Sequence, residues 1–288
     1  MSSVETLATT TIGTGPIRYV FCHGLFGSGR NWRSIARRLE PASSLLVDLP
    51  NHGRSGWTEQ FSYPASAAAL SHLLRPLDRG DLTLVGHSMG GRVAMMTALF
   101  YPDLIDRLVV VDIAPRTYQA DLLATYAPAM AALTPDQMRS RSTADQALRQ
   151  VIPDERTRAL LLTGFQPSPT GGHWQFNVAL LARDFDRIMT WPELTGYQPY
   201  AGPVLWLRGG RSDYVTAASY PAMRALFPHY QLETVAEAGH WLHADQPDVF
   251  VTTLRRFVAE HPSGGQLTGT ASDNSGGHRV TYPVTAAD

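Results

Sequence analysis

The sequence predicts an α/β protein whose mostly parallel central sheet is flanked by helices. Short apolar runs rich in β-branched residues alternate with helix-forming runs over residues 17–113, and the alternation resumes over residues 204–260. The run at 108–113 opens with four consecutive apolar residues, which is typical of a strand buried on both faces of a parallel sheet. This alternation favours strand–helix–strand units over an all-α or all-β fold.

The composition is that of an ordinary globular protein. The chain has 288 residues, enough for one substantial α/β domain with an inserted segment. It is 44% hydrophobic and 17% charged, within the usual range of soluble domains. Its formal net charge of -1 gives no electrostatic reason to expect a nucleic acid or an anionic membrane surface as partner.

The sequence contains few features that indicate a cellular compartment. Cys22 is the single cysteine, so the chain forms no internal disulfide, which fits a reducing compartment. The first residues lack the basic and apolar regions of a secretory signal, and no apolar run approaches membrane-spanning length. We therefore expect a cytoplasmic protein without membrane insertion, and the sequence is compatible with a monomer or a homodimer.

The alternating runs place the regular elements along the chain. Residues 1–15 are predicted to form a lead-in or an edge hairpin. Strands are predicted at 17–22, 44–48, 82–85, 108–113, 204–209 and 231–235. Helices are predicted at 32–39, 65–77, 92–100, 217–226 and 247–260. Each candidate polar group described below follows one of these strands. Open parallel sheets bind their ligands at that edge.

The alternation lapses in the middle of the chain. From about residue 115 to 192 the sequence predicts several helices interrupted by prolines, which we interpret as a helical insertion. The resulting division is a core of 1–115 and 193–261, a helical cap insertion of 116–192, and a tail of 262–288. Ser, Gly, Thr and Asn dominate the tail, so it is expected to be disordered.

Residues 86–91, GHSMGG, are the strongest functional motif. An apolar strand precedes them and a helix-forming run follows, which is the context of a G-x-S-x-G nucleophile elbow. Ser88 must sit at a sharp, strained turn, and the glycines leave room around it. A plain glycine-rich turn between strand and helix is the alternative interpretation.

A serine nucleophile needs a base, and His240 is the best candidate. It lies in a small-residue turn, AGHW at 238–241, after the last predicted strand. From there its ring can accept the proton of Ser88 and later return it to the leaving group. The alternative is an ordinary surface histidine.

Motifs at five strand ends together resemble a known superfamily. They are HGLFGS at 23–28, NHGRS at 51–55, GHSMGG at 86–91, VDIAP at 111–115 and GHWLHAD at 239–245. Over residues 17–260 the chain resembles the α/β-hydrolase superfamily, and within it the small esterases that include YbfF-type and abhydrolase-domain proteins. The resemblance implies a serine hydrolase with a helical cap, no cofactor and no metal.

The resemblance also implies roles for further residues. In this fold the amide after the nucleophile, Met89 N–H, pairs with an amide of the His-Gly loop, here Leu25 N–H, to form the oxyanion hole. Residues expected to contact substrate are Phe26, His87, Trp174 and Tyr118.

Two aspartates compete for the acid position behind His240. Asp213 lies in the loop after the strand at 204–209, the commonest acid position of the superfamily. Asp112 ends the strand at 108–113, the position that the YbfF-type group uses. Both satisfy the chain order serine, acid, histidine, and the superfamily pattern favours Asp213 with Asp112 as the alternative.

These residues predict a serine hydrolase that cleaves carboxylic esters of small or medium apolar acyl groups through an acyl-enzyme. A C–C bond hydrolase or a thioesterase using the same triad is the alternative reaction. A non-catalytic ligand-binding protein on the same fold is the alternative of another class, since fold alone does not establish function. The expected partner is a small-molecule ester.

Overall fold

A computed structural model describes residues 6–77, 81–119 and 123–263 of the chain. The expected disordered tail lies almost entirely outside the described residues. The strands in chain order are β1 (Thr9–Ile12), β2 (Ile17–Cys22), β3 (Ser43–Val47), β4 (Thr83–His87), β5 (Arg107–Val111), β6 (Phe165–Gln166), β7 (His173–Trp174), β8 (Val204–Gly209) and β9 (Tyr230–Val235).

The α-helices follow the same order. They are α1 (Arg33–Arg38), α2 (Tyr63–Leu74), α3 (Met89–Phe100), α4 (Leu123–Ala131), α5 (Arg141–Leu148), α6 (Glu155–Leu161), α7 (Val178–Arg183), α8 (Phe185–Met189), α9 (Tyr220–Leu226), α10 (Leu242–Asp245) and α11 (Pro247–Glu260).

Seven strands form one sheet in the order β1-β3-β2-β4-β5-β8-β9. All neighbouring pairs are parallel except β1 with β3, which is antiparallel at the edge. This confirms the predicted α/β architecture with a mostly parallel sheet. The nucleophile strand β4 lies between β2 and β5, so the loops after both neighbours come close to its end.

Successive side chains of each strand point to opposite faces of the sheet, and each face packs on its own helices. Val20 and Cys22 of β2 belong to the apolar cluster that includes α2 and α3. Tyr19 and Phe21 belong to the cluster on the other face, which includes α1 and α11. Burial on both faces explains why the central strands are almost continuously apolar.

The chain between β5 and β8 holds helices α4 to α8 and the antiparallel pair of β6 with β7. This segment contacts the loop after β3, because the Gly53 amide donates a hydrogen bond to the carbonyl of Gln175 at 2.5 Å. The helical character agrees with the sequence. The division of the chain into a core and a cap stays a prediction.

Candidate active site

Ser88 stands at the turn between β4 and α3 in a strained conformation. Its φ is 52° and its ψ is -119°, a combination that side-chain-bearing residues rarely adopt. Its amide donates to the carbonyl of Val111 at 3.0 Å, which ties the turn to the end of β5. This hydrogen bond to the neighbouring strand β5 therefore stabilises the strained turn.

Two glycines allow this turn to exist. A Cβ atom on Gly90 would lie 2.6 Å from the carbonyl oxygen of Cys22 and closer still to that of His23. A Cβ on Gly86 would lie 2.7 Å from Gly91 Cα. Only glycine lets α3 begin this close to β2.

His240 links Ser88 to a carboxylate. Its Nε2 lies 3.0 Å from Ser88 Oγ, and its Nδ1 lies 2.8 Å from Asp112 Oδ2. A carboxylate only accepts, so Nδ1 carries a proton and Nε2 is free to accept the serine hydroxyl. The ring of Tyr214 stacks on the imidazole, with a centroid distance of 4.0 Å and an interplanar angle of 19°.

Asp112 is fully buried and every carboxylate oxygen is used. It follows β5 directly with a φ of 51°. Its Oδ1 accepts from the Gly209 amide at 2.9 Å, and its Oδ2 accepts from the Ser212 hydroxyl as well as from His240. These donors fix the direction of the carboxylate.

The preference for Asp213 as the partner of His240 is corrected by this geometry. Asp213 is exposed, whereas Asp112 lies beneath the histidine. The two aspartates follow neighbouring strands, but the loop after β8 turns its Ser212 toward Asp112. The loop thus contributes a donor to the buried acid.

The loop after β2 passes against the nucleophile. A Cβ on Gly24 would lie 3.3 Å from Ser88 Cβ. Among the described residues no acceptor is found for the amides of Leu25 and Met89, so both are free to donate to a ligand. Phe26, at a φ of 62°, donates its amide to His52 Nε2 at 3.2 Å, which fixes this loop in place.

Two buried histidines anchor the neighbouring loops in neutral form. His23 Nε2 accepts from the Leu49 amide at 3.0 Å, and His52 Nδ1 donates to the Pro50 carbonyl at 2.9 Å. Burial lowers the pKa of His23 to about 4, and burial together with the neighbouring His23 lowers the pKa of His52 to about 3. Both residues therefore act here as hydrogen-bonding supports.

His87, the residue before the serine, supports the loop of His240. Its Nε2 donates to the backbone carbonyl of His240 at 2.8 Å. Burial, followed by the nearby His240 and His243, holds the pKa of His87 well below its usual value.

A cavity of about 310 Å³ opens over Ser88 and His240. Phe26 and His87, two of the four residues predicted to contact substrate, are among its lining residues. The insertion adds Leu160, Leu161 and Tyr126 to its wall, and the remaining lining residues are Gly24, Leu25, Thr157, Tyr214 and Trp241.

Trp174, which the sequence also predicts to contact substrate, is not among the residues that line this cavity. Its indole Nε1 donates to the Met130 carbonyl at 3.2 Å, and its ring lies against Phe165 and Phe176. An aromatic residue in a short hairpin packs on the helices beneath it, and Trp174 is part of the core of the insertion.

A second, smaller cavity of about 20 Å³ also borders Ser88. Tyr118, the fourth expected contact residue, lies on its wall. The Tyr118 hydroxyl accepts from the Ala114 amide at 2.9 Å and donates to the Tyr214 carbonyl at 2.6 Å. Tyr118 thereby fixes the chain just after Asp112.

Sequence reasoning missed three features of the site. Tyr214 and Ser212 lie in the strand-end loop that also holds Asp213, so their position alone could have indicated them. Arg92 lies one turn into α3 and is only 2% exposed. Nothing in a helix-forming run signals a buried arginine.

Within residues 6–77, 81–119 and 123–263, no three His, Cys, Asp or Glu side chains are arranged to hold a metal ion. Over the same residues, no helix combines the length and the apolar character needed to cross a membrane.

An open parallel sheet that carries a serine on a strained strand-to-helix turn is the architecture of the α/β hydrolases. The chain belongs to the alpha/beta hydrolase family, whose sequence profile matches residues 19–253.

Named relatives and solved structures agree with this membership. The chain is 40% identical over 248 residues to ABHD11 of Mus musculus, an sn-1-specific diacylglycerol lipase, covering 83% of this chain and 80% of the relative. It is 33% identical over 240 residues to the esterase YbfF of Escherichia coli K12, covering 83% and 92%. A solved marine microorganism esterase superimposes with a TM-score of 0.81 at 31% identity, covering 88% of this chain and 99% of that one. The chain is a hydrolase of this family.

Proposed function

We propose that this protein cleaves carboxylic esters of small or medium apolar acyl groups through an acyl-enzyme, with Ser88, His240 and Asp112 as its triad. The observation that carries the proposal is the continuous line of hydrogen bonds from Ser88 Oγ through the imidazole to the buried carboxylate. In this arrangement His240 Nε2 can accept the proton of Ser88 Oγ, and His240 Nδ1 donates a hydrogen bond to Asp112.

Acylation begins when Ser88 Oγ attacks the ester carbonyl carbon and its proton passes to His240 Nε2. The carbonyl π bond becomes an oxyanion, which the amides of Leu25 and Met89 stabilise. One such donor is typically worth about 3–4 kcal/mol of barrier. Collapse of the tetrahedral intermediate breaks the bond to the alcohol oxygen, which leaves with the proton from His240.

Deacylation repeats these steps with water. His240 accepts a proton from a water molecule while the water oxygen attacks the acyl carbon. His240 then gives this proton to Ser88 Oγ as the carboxylic acid departs. In both halves Asp112 orients the imidazole and stabilises its positive form without itself taking the proton.

The cavity wall supports an apolar substrate. Phe26, Leu160 and Leu161 face the space above Ser88, and the last two come from the insertion. The insertion therefore serves as an apolar roof over the site. The esterase and lipase names of the relatives support ester hydrolysis as the reaction.

The test is a panel of aryl esters of increasing acyl length with wild type and Ser88→Ala. We expect Ser88→Ala to lower turnover by at least about a thousandfold, because without the Oγ nucleophile no acyl-enzyme can form. Ser142→Ala, at an exposed position of α5, is the matched control and should retain wild-type turnover.

A fluorophosphonate probe separates this enzyme from a non-catalytic binding protein. Wild type should be labelled at Ser88 and the Ser88→Ala protein should not. Folded wild type that resists the probe, or ester cleavage that survives Ser88→Ala, would contradict the mechanism.

A further inference from the structure

Among the described residues, Ser88 lines a large and a small cavity, and His240 lines the large one. The cavity of about 310 Å³ is lined by His240 and Trp241. The cavity of about 20 Å³ is lined by Met89 and Leu25, whose amides we place in the oxyanion hole, and His240 is not among its lining residues. Ser88, Leu25 and Tyr214 thus line both spaces, whereas Met89, Ile188 and Met189 line the small one and His240 the large one.

The mechanism decides which part of an ester enters which space. His240 must protonate the alcohol oxygen as it leaves, so the alcohol lies on the side of the imidazole. The oxyanion points to the two amides. The acyl arm takes the remaining direction around the tetrahedral carbon, away from His240.

We infer that the small cavity is the acyl subsite, so that the substrate carries a short acyl arm on a bulky apolar alcohol. This inference rests on the proposed ester hydrolysis. A cavity needs roughly 10–15 Å³ to hold one water-sized group, so about 20 Å³ takes about one or two carbons beyond the carbonyl. Acetyl and propionyl esters fit, and hexanoyl esters do not.

The wall of the small cavity is held rigidly. Ile188 and Met189 border it, and both are buried. The guanidinium of Arg92 donates to the carbonyl of Ile188 at 2.6 Å and to that of Met189 at 3.0 Å. Because Arg92 is in the nucleophile helix, these bonds fix the wall relative to Ser88.

The aromatic side of the small cavity is equally constrained. The Arg92 guanidinium lies 5.4 Å from the ring centroid of Tyr63 and 5.0 Å from that of Tyr118. Tyr63 also donates its hydroxyl to the Ile188 carbonyl at 2.7 Å. In the wild-type protein a longer acyl arm would have to displace Ile188 or Met189, whose backbone these bonds hold on α3.

Two ester series test the assignment on the whole protein. One varies the acyl group from acetyl to octanoyl on p-nitrophenol, and the other varies the alcohol from phenol to 1-naphthol on acetate, so that the acidity of the leaving group stays similar. We expect kcat/KM to fall at least about tenfold between propionate and hexanoate, and to rise with alcohol size along the acetate series.

Met189→Ala should lengthen the accepted acyl arm, raising the ratio of hexanoate to acetate kcat/KM at least about tenfold. Ile188→Ala gives a second enlargement of the same wall. Leu160→Ala, in the wall of the large cavity, should alter the alcohol series and leave the acyl ratio within about twofold. Both Met189 and Ile188 bind Arg92 through backbone carbonyls, so these bonds survive the substitutions.

Octanoate esters hydrolysed by wild type as well as acetate would overturn the acyl assignment, as would a shift of the acyl ratio by Leu160→Ala alone. If neither enlarged variant folds, the wild-type series still decides. Failure of the proposed function is a different result, since no ester would then be cleaved in a way that depends on Ser88.

Discussion

The carboxylate of Asp112 reaches His240 because the chain leaves β5 at Val111 and turns at once through a positive φ. That turn points the side chain under the histidine and lets its own amide donate to the Leu207 carbonyl at 2.8 Å. Gly209 and Ser212 then donate to the carboxylate, so its charge is stabilised without contact with water.

Asp112→Asn therefore tests the acid directly. We expect turnover to fall by about a thousandfold or more, because an amide no longer holds the imidazole in the required tautomer or stabilises its positive form. Asp213→Asn is the matched control at an exposed position and should lie within about threefold of wild type. Steady-state kinetics with a short-acyl aryl ester, and circular dichroism to confirm folding, check both.

A large loss in Asp213→Asn with a mild one in Asp112→Asn would contradict this geometry. Two mild losses would show that neither carboxylate is the sole acid.

The predicted residues that the structure brings together, Ser88 and His240, are those that a local sequence pattern marks. Ser88 is framed by glycines that the turn requires, and His240 follows a strand in a small-residue turn. The choice between Asp112 and Asp213 is not local, because both follow strands and both precede His240. The choice depends on which of the two loops points its carboxylate toward His240. The packing of β5 against β8 decides this orientation.

At the scale of elements, the close approach of α3 to β2 is set by single glycines. The turn places Gly90 against the carbonyls of Cys22 and His23 at the end of β2. The same approach brings the loop that carries Leu25 next to Ser88. Any side chain at Gly90 must separate the helix from the strand and so move the nucleophile away from the oxyanion loop.

Gly90→Ala should for this reason lower the free energy of unfolding by about 3 kcal/mol, because backbone atoms cannot yield as a side chain can. The remaining folded protein should have little esterase activity. Gly15→Ala, where a Cβ would meet no atom within 4 Å, is the matched control. Urea denaturation measures the first effect, and a Gly90→Ala protein of wild-type stability would show that the helix can shift freely.

Strands and helices of the core were predictable because burial on both faces leaves long apolar runs. The helix at 247–260 was predicted with its observed bounds, whereas the strand at 108–113 ends at Val111 in the structure. The insertion was harder to interpret. Trp174 and its neighbours form a local aromatic core there, and a sequence does not distinguish a ring that packs from one that meets substrate.

At the scale of the whole molecule, the site is surrounded by buried neutral histidines. His23 and His52 anchor two loops, His87 anchors the loop of His240, and His243 stacks on Trp32 with a centroid distance of 4.3 Å. Burial, then the nearby His240, lowers the pKa of His243 to about 3. The fold thus depends on several imidazoles remaining uncharged.

This arrangement makes stability depend on pH in a defined direction. The ordinary pKa of histidine is 6.5, and the folded values for His23 and His52 are about 4 and about 3. Below pH 6.5 the unfolded chain binds protons that the folded chain excludes, so stability falls as pH drops toward 4. Each such histidine lowers the free energy of unfolding by about 1.4 kcal/mol for every pH unit between pH 6.5 and its folded pKa.

We expect the urea midpoint to fall steeply between pH 7 and pH 5, and His52→Gln to make the fall shallower. A glutamine amide can still donate to the Pro50 carbonyl and accept from the Phe26 amide, but it does not titrate. His72→Gln, at an exposed position of α2, is the matched control and should leave the slope unchanged. A midpoint that stays constant from pH 7 to pH 5 would mean that these imidazoles accept protons within the folded protein, which their burial and their amide donors oppose.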